Sequence, residues 1–169
     1  MKKIIYNELG LKEEQINKTI KRAKLIIINS NNDILLAHCN SNYFFVGGHV
    51  DGNETDYECL KREIKEECGI DLELNIEEPF ISINYMSKDY PEEGLNTKYI
   101  SNYYYMKTDI KPDLSNTALE EREVKGNFEL VYININDILN VLEENLNNCT
   151  KINVVKDTIE ATKEFINKI

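Results

Sequence analysis

Tryptophan is absent from the sequence, proline occurs three times and histidine twice in 169 residues. With so little proline there is no Pro-rich linker, and no internal repeat or low-complexity block divides the chain, so residues 1–169 read as a single domain with one buried core. Long apolar runs are missing too. The stretch Lys24-Leu25-Ile26-Ile27-Ile28 is among the longest, far short of the roughly 20 residues that cross a bilayer. The Met1-Lys2-Lys3 start leads into polar residues, not a secretory apolar segment. These absences point to a cytoplasmic protein with no membrane partner.

The four cysteines, Cys39, Cys59, Cys68 and Cys149, form no C-x-x-C pair, and Cys59 and Cys68 fall on what reads as one helix, where they cannot meet. Reduced thiols in packing roles are the expectation. His38 and His49 have no Cys or His partner at zinc spacing, so loop or structural roles suit them. Basic charge is scarce: 20 Lys and Arg stand against 30 Asp and Glu, a net −10. A long nucleic acid would be repelled at a distance, and cations would have to mediate contact with any phosphorylated ligand.

What is present is a series of β-branched and apolar runs with a helical pattern set among them. Strands are expected near Lys24–Asn29, Ile34–Cys39 and Tyr43–Val46, with Asn31-Asn32-Asp33 turning the first two into a hairpin. Over Thr55–Cys68 the period changes, and Tyr57, Leu60, Ile64 and Cys68 form one helical stripe. Thr55 and Glu58 read as a capping box and Gly69 as the left-handed terminator. Further strands are expected at Asp71–Ile76, Pro79–Met86, Tyr99–Thr108 and Phe128–Ile135, and helices at Asp137–Asn145 and Val154–Lys168. This order predicts a mixed sheet packed between helices.

On the central helix Glu63, Glu66 and Glu67 stand at i, i+3 and i+4, within roughly 100° of arc. An ordinary solvated acidic face has the same spacing. If the three are held together, their repulsion calls for a compensating cation, and carboxylate oxygens favour a hard divalent one.

The surrounding residues carry more. Gly48, Glu54, Arg62, Glu63, Ile64, Glu66, Glu67, Gly69 and Ile70 stand at the fixed spacing of a nine-position signature from Gly48 to Ile70, and in this the chain resembles the Nudix hydrolase family. The match is specific over Tyr43–Ile70. The resemblance implies an α/β/α sandwich with a mixed β-sheet between helices and a box at residues 48–70 that forms a loop, a helix and a loop. It also implies hydrolysis of a pyrophosphate bond in a nucleoside diphosphate linked to another moiety, as in a nucleoside triphosphate, an ADP-sugar or a dinucleoside polyphosphate. Magnesium or manganese would be the cofactor. Carried over residue by residue, Glu63, Glu66 and Glu67 become the metal ligands, with the Gly47 backbone carbonyl completing the shell, while Arg62 and Glu54 pair to hold the loop against the helix. Glu63, or a glutamate of a later loop, would serve as general base, and Glu121 or Glu123 is where a further ligand or base is sought. Val46 replaces the proline that often precedes the two glycines. At Gly52-Asn53 the glycine is displaced from its usual place before the glutamate, a place where Asn53 can take a left-handed conformation that keeps the loop geometry.

Tyr43, Phe44 and Tyr85 are the aromatic candidates for substrate contact, against the plainer reading that they fill a core. A small nucleotide is the expected partner, and the resemblance allows a homodimer. The alternative that keeps the fold is a nucleotide-binding or regulatory module without hydrolysis, against which all three glutamates are present. An isoprenyl diphosphate isomerase would need a cysteine setting not found here, and RNA decapping fits poorly with the net charge of −10.

Overall fold

The computed structural model describes residues Met1–Ile169. Seven strands, β1 (Lys2–Tyr6), β2 (Lys18–Ile28), β3 (Asp33–Cys39), β4 (Asn42–Phe44), β5 (Ile81–Ser87), β6 (Thr97–Lys107) and β7 (Glu129–Asn134), form one sheet. Four helices accompany them: α1 (Asp56–Cys68), α2 (Glu121–Lys125), α3 (Ile138–Asn145) and α4 (Ile152–Lys168). The strand order is β1-β5-β6-β2-β3-β4, with β7 also paired to β3. Strands β1 and β5 and strands β6 and β2 run parallel, and the other pairs are antiparallel.

Alternation along β2 shows why the sheet needs helices on both sides. Ala23, Leu25 and Ile27 face one way and join Cys59, Leu60, Ile64 and Cys68 of α1 in one core. Ile26 and Ile28 face the other way and join Ile138 and Leu142 of α3 with Val155, Ile159 and Phe165 of α4 in a second. The result is the expected α/β/α sandwich, with a mixed sheet in the middle. Each fully buried leucine or isoleucine of α1 contributes about 1.5–3 kcal/mol of transfer free energy, and Ile64→Ala would cost about 2–5 kcal/mol because a cavity is left behind. No helix is long and apolar enough to cross a membrane.

The ends of α1 follow the sequence closely. The Thr55 hydroxyl accepts from Glu58 N at 3.2 Å, the Glu58 carboxylate accepts from Thr55 N at 2.8 Å, and Gly69 ends the helix at φ 68°. The hairpin turn also forms where expected, with Asn32 at φ 63°.

Four expectations need correction, and one strand, β1, was not expected. Tyr57 does not sit in the apolar stripe: it is exposed and its hydroxyl donates to Glu73 at 3.1 Å, while Cys59 takes the buried position. In the first turn it is Asp56 that faces the sheet, accepting from Asn102 Nδ2 and Tyr104 OH of β6 at 2.8 and 2.7 Å, and Tyr57 is left at the edge of the helix beside Glu73. Asp71–Ile76 is not a strand. It pairs with no strand, and what fixes it is the burial of Leu74 in the core beneath α1. The N-terminal residues do contribute a strand, β1, whose mostly exposed pattern hides it from a burial-based reading. The acidic stretch near Glu121 is a short helix, α2, and not only a loop. In the box loop the left-handed residue is Gly52, at φ 51°, and not Asn53. Glycine reaches that conformation without the steric cost a side chain brings.

Candidate active site

The site begins with a gap in the sheet. Strand β2 pairs with β3 only at Ile28 and Ile34, and beyond that point residues 46–50 take over the β2 edge. Leu25 N donates to Val46 O at 3.0 Å, Ala23 N to Gly48 O at 3.1 Å and Val50 N to Lys21 O at 3.0 Å. The loop is thus pinned by backbone hydrogen bonds and squeezed between β2 and α1. A Cβ on Gly47 would lie 2.3 Å from the Ala23 carbonyl oxygen, and one on Gly48 would lie 2.1 Å from Glu63 Oε1. Both glycines are there because backbone must touch backbone on one side and a carboxylate on the other.

Helix α1 presents its acidic residues to this loop. Glu67 is 2% exposed, and its Oε2 accepts the Gly47 backbone N–H at 2.9 Å. Burial raises its pKa above the usual carboxylate range, and burial likewise raises that of Glu63. Arg62 ties the parts together. Its Nε and Nη2 donate to the two Glu54 oxygens at 2.8 and 3.0 Å, a bidentate fork, and Nη2 also donates to the His49 carbonyl at 2.9 Å. Its Nη1 bridges Glu63 Oε1 at 2.8 Å and Glu66 Oε2 at 3.2 Å. The Lys24 ammonium donates to the Gly47 carbonyl oxygen and acts electrostatically on both Glu67 and Glu63.

The carboxylates of the helix are therefore neutralised by two protein cations, one on each side. No set of three acidic, histidine or cysteine side chains is placed to grip a single ion in this arrangement. The donors are nonetheless all oxygen, one of them on a nearly dry carboxylate, and they are already gathered around positive charge. That chemistry fits a hard divalent cation taking over from Lys24 and Arg62.

These groups form one wall of a cavity of about 680 Å³. Arg22, Lys24 and Arg122 bring positive charge to it, and Phe44, Tyr85, Tyr99 and Tyr103 bring aromatic surface. The Arg22 guanidinium lies 5.2 Å from the Tyr99 ring centroid, and its Nε donates to His49 Nε2 at 3.3 Å. Burial lowers the pKa of His49, in keeping with its Nε2 accepting from Arg22.

The NUDIX domain model matches residues 18–148, most of the chain. The chain belongs to the Nudix family. Its fold is similar to that of the MutT protein from Methanosarcina mazei Go1, at TM-score 0.58 and 19% identity, covering 90% of this chain and 97% of that one. It is also similar to the E. coli dihydroneopterin triphosphate pyrophosphohydrolase, at TM-score 0.59 and 12% identity over 88% and 96% of the two chains. The E. coli ORF135 protein aligns at TM-score 0.56 and 19% identity over 93% and 94%. Among curated protein sequences there is no match.

Within the Nudix frame the candidate residues fall into two groups. Glu63, Glu67 and Gly47 line the cavity, whereas Glu66 lies beside it in contact with Arg62. Glu123 reaches the cavity wall, though its Oε2 already accepts Glu120 N at 2.8 Å. Glu121 does not reach it and instead pairs with Lys125 on the surface. Phe44 and Tyr85 line the cavity, but Tyr43 turns away and packs on His38 with centroids 4.5 Å apart. Cys59 and Cys68 are buried, with thiols pushed up to about 11 and about 12 by that burial, so neither is a ready nucleophile.

Sequence reading missed Arg22, Lys24, Arg122 and Asp157. A signal existed for three of them: Arg22 and Lys24 occupy alternate positions whose continuation, Ile26 and Ile28, is core-facing. Asp157 lies within the buried face of α4, between Val155 and Ala161. In each case a charge stands where period alone calls for an apolar residue.

Proposed function

We propose that this Nudix chain is a divalent-cation-dependent pyrophosphohydrolase acting on a small nucleotide. The observation that carries the reading is the placement of Glu63 and Glu67 against the Gly47-Gly48 loop, at the wall of a cavity that also holds Arg22, Lys24 and Arg122. Glu63, Glu66 and Glu67 would hold magnesium or manganese, which when bound would neutralise phosphate oxygens and make a coordinated water more acidic. The rest falls to the protein. Arg22 and Arg122 counter the charge of a diphosphate, Arg62 and Glu54 keep the loop fixed to α1, and Glu63 at the wall accepts a proton from water. A net charge of −10 favours a compact substrate over a long nucleic acid.

The test is phosphate or pyrophosphate release by purified protein from nucleoside triphosphates, ADP-sugars and dinucleoside polyphosphates, with magnesium and with chelator. Turnover that needs magnesium and is lost in Glu67→Gln supports the proposal, and none on any substrate refutes it. One observation favours the second reading, a nucleotide-binding module without hydrolysis: Lys24 and Arg62 already occupy the acidic groups and the Gly47 carbonyl. That reading predicts nucleotide binding unaffected by magnesium.

A further inference from the structure

The cavity has a second buried carboxylate, on the opposite face of the sheet from Glu67. Asp157 of α4 is 7% exposed and lines the cavity. The Tyr85 hydroxyl donates to its Oδ1, and no protein group donates to its other oxygen. No side-chain oxygen or nitrogen fully cut off from solvent lacks a partner, so that free oxygen opens into the cavity. A buried carboxylate left half-satisfied costs stability and is uncommon unless something completes it.

The surroundings limit what could complete it. Tyr85, stacked on Tyr6 with ring centroids 4.7 Å apart, and Tyr103 bring aromatic surface beside Asp157, suited to a planar ring. The neighbouring Thr158 hydroxyl is already committed to the Val154 carbonyl at 2.8 Å, so it offers no donor to the ring. Arg22, Glu160, Tyr6 and Tyr103 are the other titratable groups that act on or feel Asp157. Burial raises its carboxyl to about 7, and above that pH the open oxygen can only accept.

We propose that Asp157, fixed by the Tyr85 hydroxyl, is a specificity-determining acceptor that reads an exocyclic amine on the nucleobase of the substrate. An amine donates to the open oxygen. A deaminated base puts a carbonyl there, leaving two acceptors facing each other, and a site built around a buried polar group rejects such an analogue strongly. This rests on the nucleotide reading of the cavity above and adds which base chemistry it favours.

Nucleoside monophosphates test it without chemistry, since they contain no anhydride to cut. AMP and IMP, GMP and XMP, and CMP and UMP are titrated calorimetrically at pH 8.5 against the whole protein. At least one amine-bearing member should bind about tenfold or more tightly than its partner. In Asp157→Asn the amide oxygen can still accept from Tyr85 while its N–H₂ faces the cavity, so the preference should vanish or invert. Tyr85→Phe should shrink the ratio. Equal affinities within every pair, no binding at all, or an Asp157→Asn loss that is the same for both members would overturn the proposal. A preference seen without any hydrolysis would sink the hydrolase reading alone, and hydrolysis without a preference would sink only the role of Asp157.

Discussion

Glu67 and Asp157 are both helix carboxylates, both nearly dry, and both border the same cavity from opposite faces of the sheet, yet their neighbours differ in kind. Glu67 has a backbone N–H, the Lys24 ammonium and a second carboxylate beside it. Asp157 has one phenolic hydroxyl and aromatic walls. The first setting gathers charge of both signs and suits a divalent cation and phosphates. The second feels only Arg22 as a counter-charge, with no hydrogen bond to it, and suits hydrogen-bond readout. Burial alone does not assign a carboxylate its role; the partners that share the burial do.

The sharpest way to break this contrast is Glu67→Gln. Magnesium-dependent hydrolysis should fall by about 10²–10³-fold, the scale of losing one preorganised electrostatic contact. Thermal unfolding without metal should be unchanged or slightly later, since a crowded charge is removed. If activity persists, Glu67 belongs with structural carboxylates and the contrast collapses.

Lys24→Met probes the countercharge at the same end. Without divalent ions the variant should lose on the order of 1–3 kcal/mol, because Glu67 and Glu63 are left with less positive charge nearby. Added magnesium should then raise its unfolding midpoint more than it raises that of the parent, as read by scanning calorimetry.

At the other end, Asp157→Asn should stabilise the protein in a pH-dependent way. The native carboxyl titrates at about 7, against roughly 3.9 when unfolded. Between those values the native state binds the extra proton, so the parent loses stability as pH rises and levels off above about 7. The asparagine variant should therefore gain on the order of 1–3 kcal/mol at pH 8 and almost nothing at pH 4. An equal gain at both values would mean that Asp157 is not strained by its charge.

The smallest effect should come from Glu121→Ala. Its ion pair with Lys125 is exposed, so stability should change by less than about 0.5 kcal/mol and hydrolysis should not change. A large loss would move Glu121 into the site despite its position.

Much of the box end was legible before any coordinates. Capping residues Thr55 and Glu58 and the terminator Gly69 are local features, set by contacts a few residues apart, and spacing is enough to read them, whereas the Glu54–Arg62 pair came from the family resemblance. Tyr57 misled because a stripe says which residues share a face but not that a polar neighbour, Asp56, takes the sheet contact in the first turn. Asp71–Ile76 misled because strand propensity says nothing about whether a partner strand pairs with it.

The far end was hidden for a different reason. Asp157 is more than 70 residues from Tyr85, and only the docking of α4 on the β5 face brings them together. The sequence by itself determined the helix that carries Glu63, Glu66 and Glu67 and its two ends, because short-range geometry dictates these. Tertiary structure alone decided that Lys24 and Arg62 share those carboxylates, that Glu123 and not Glu121 reaches the cavity, and that a second acid faces the first. Such pairings depend on how two faces of a sheet are covered, which no local period encodes.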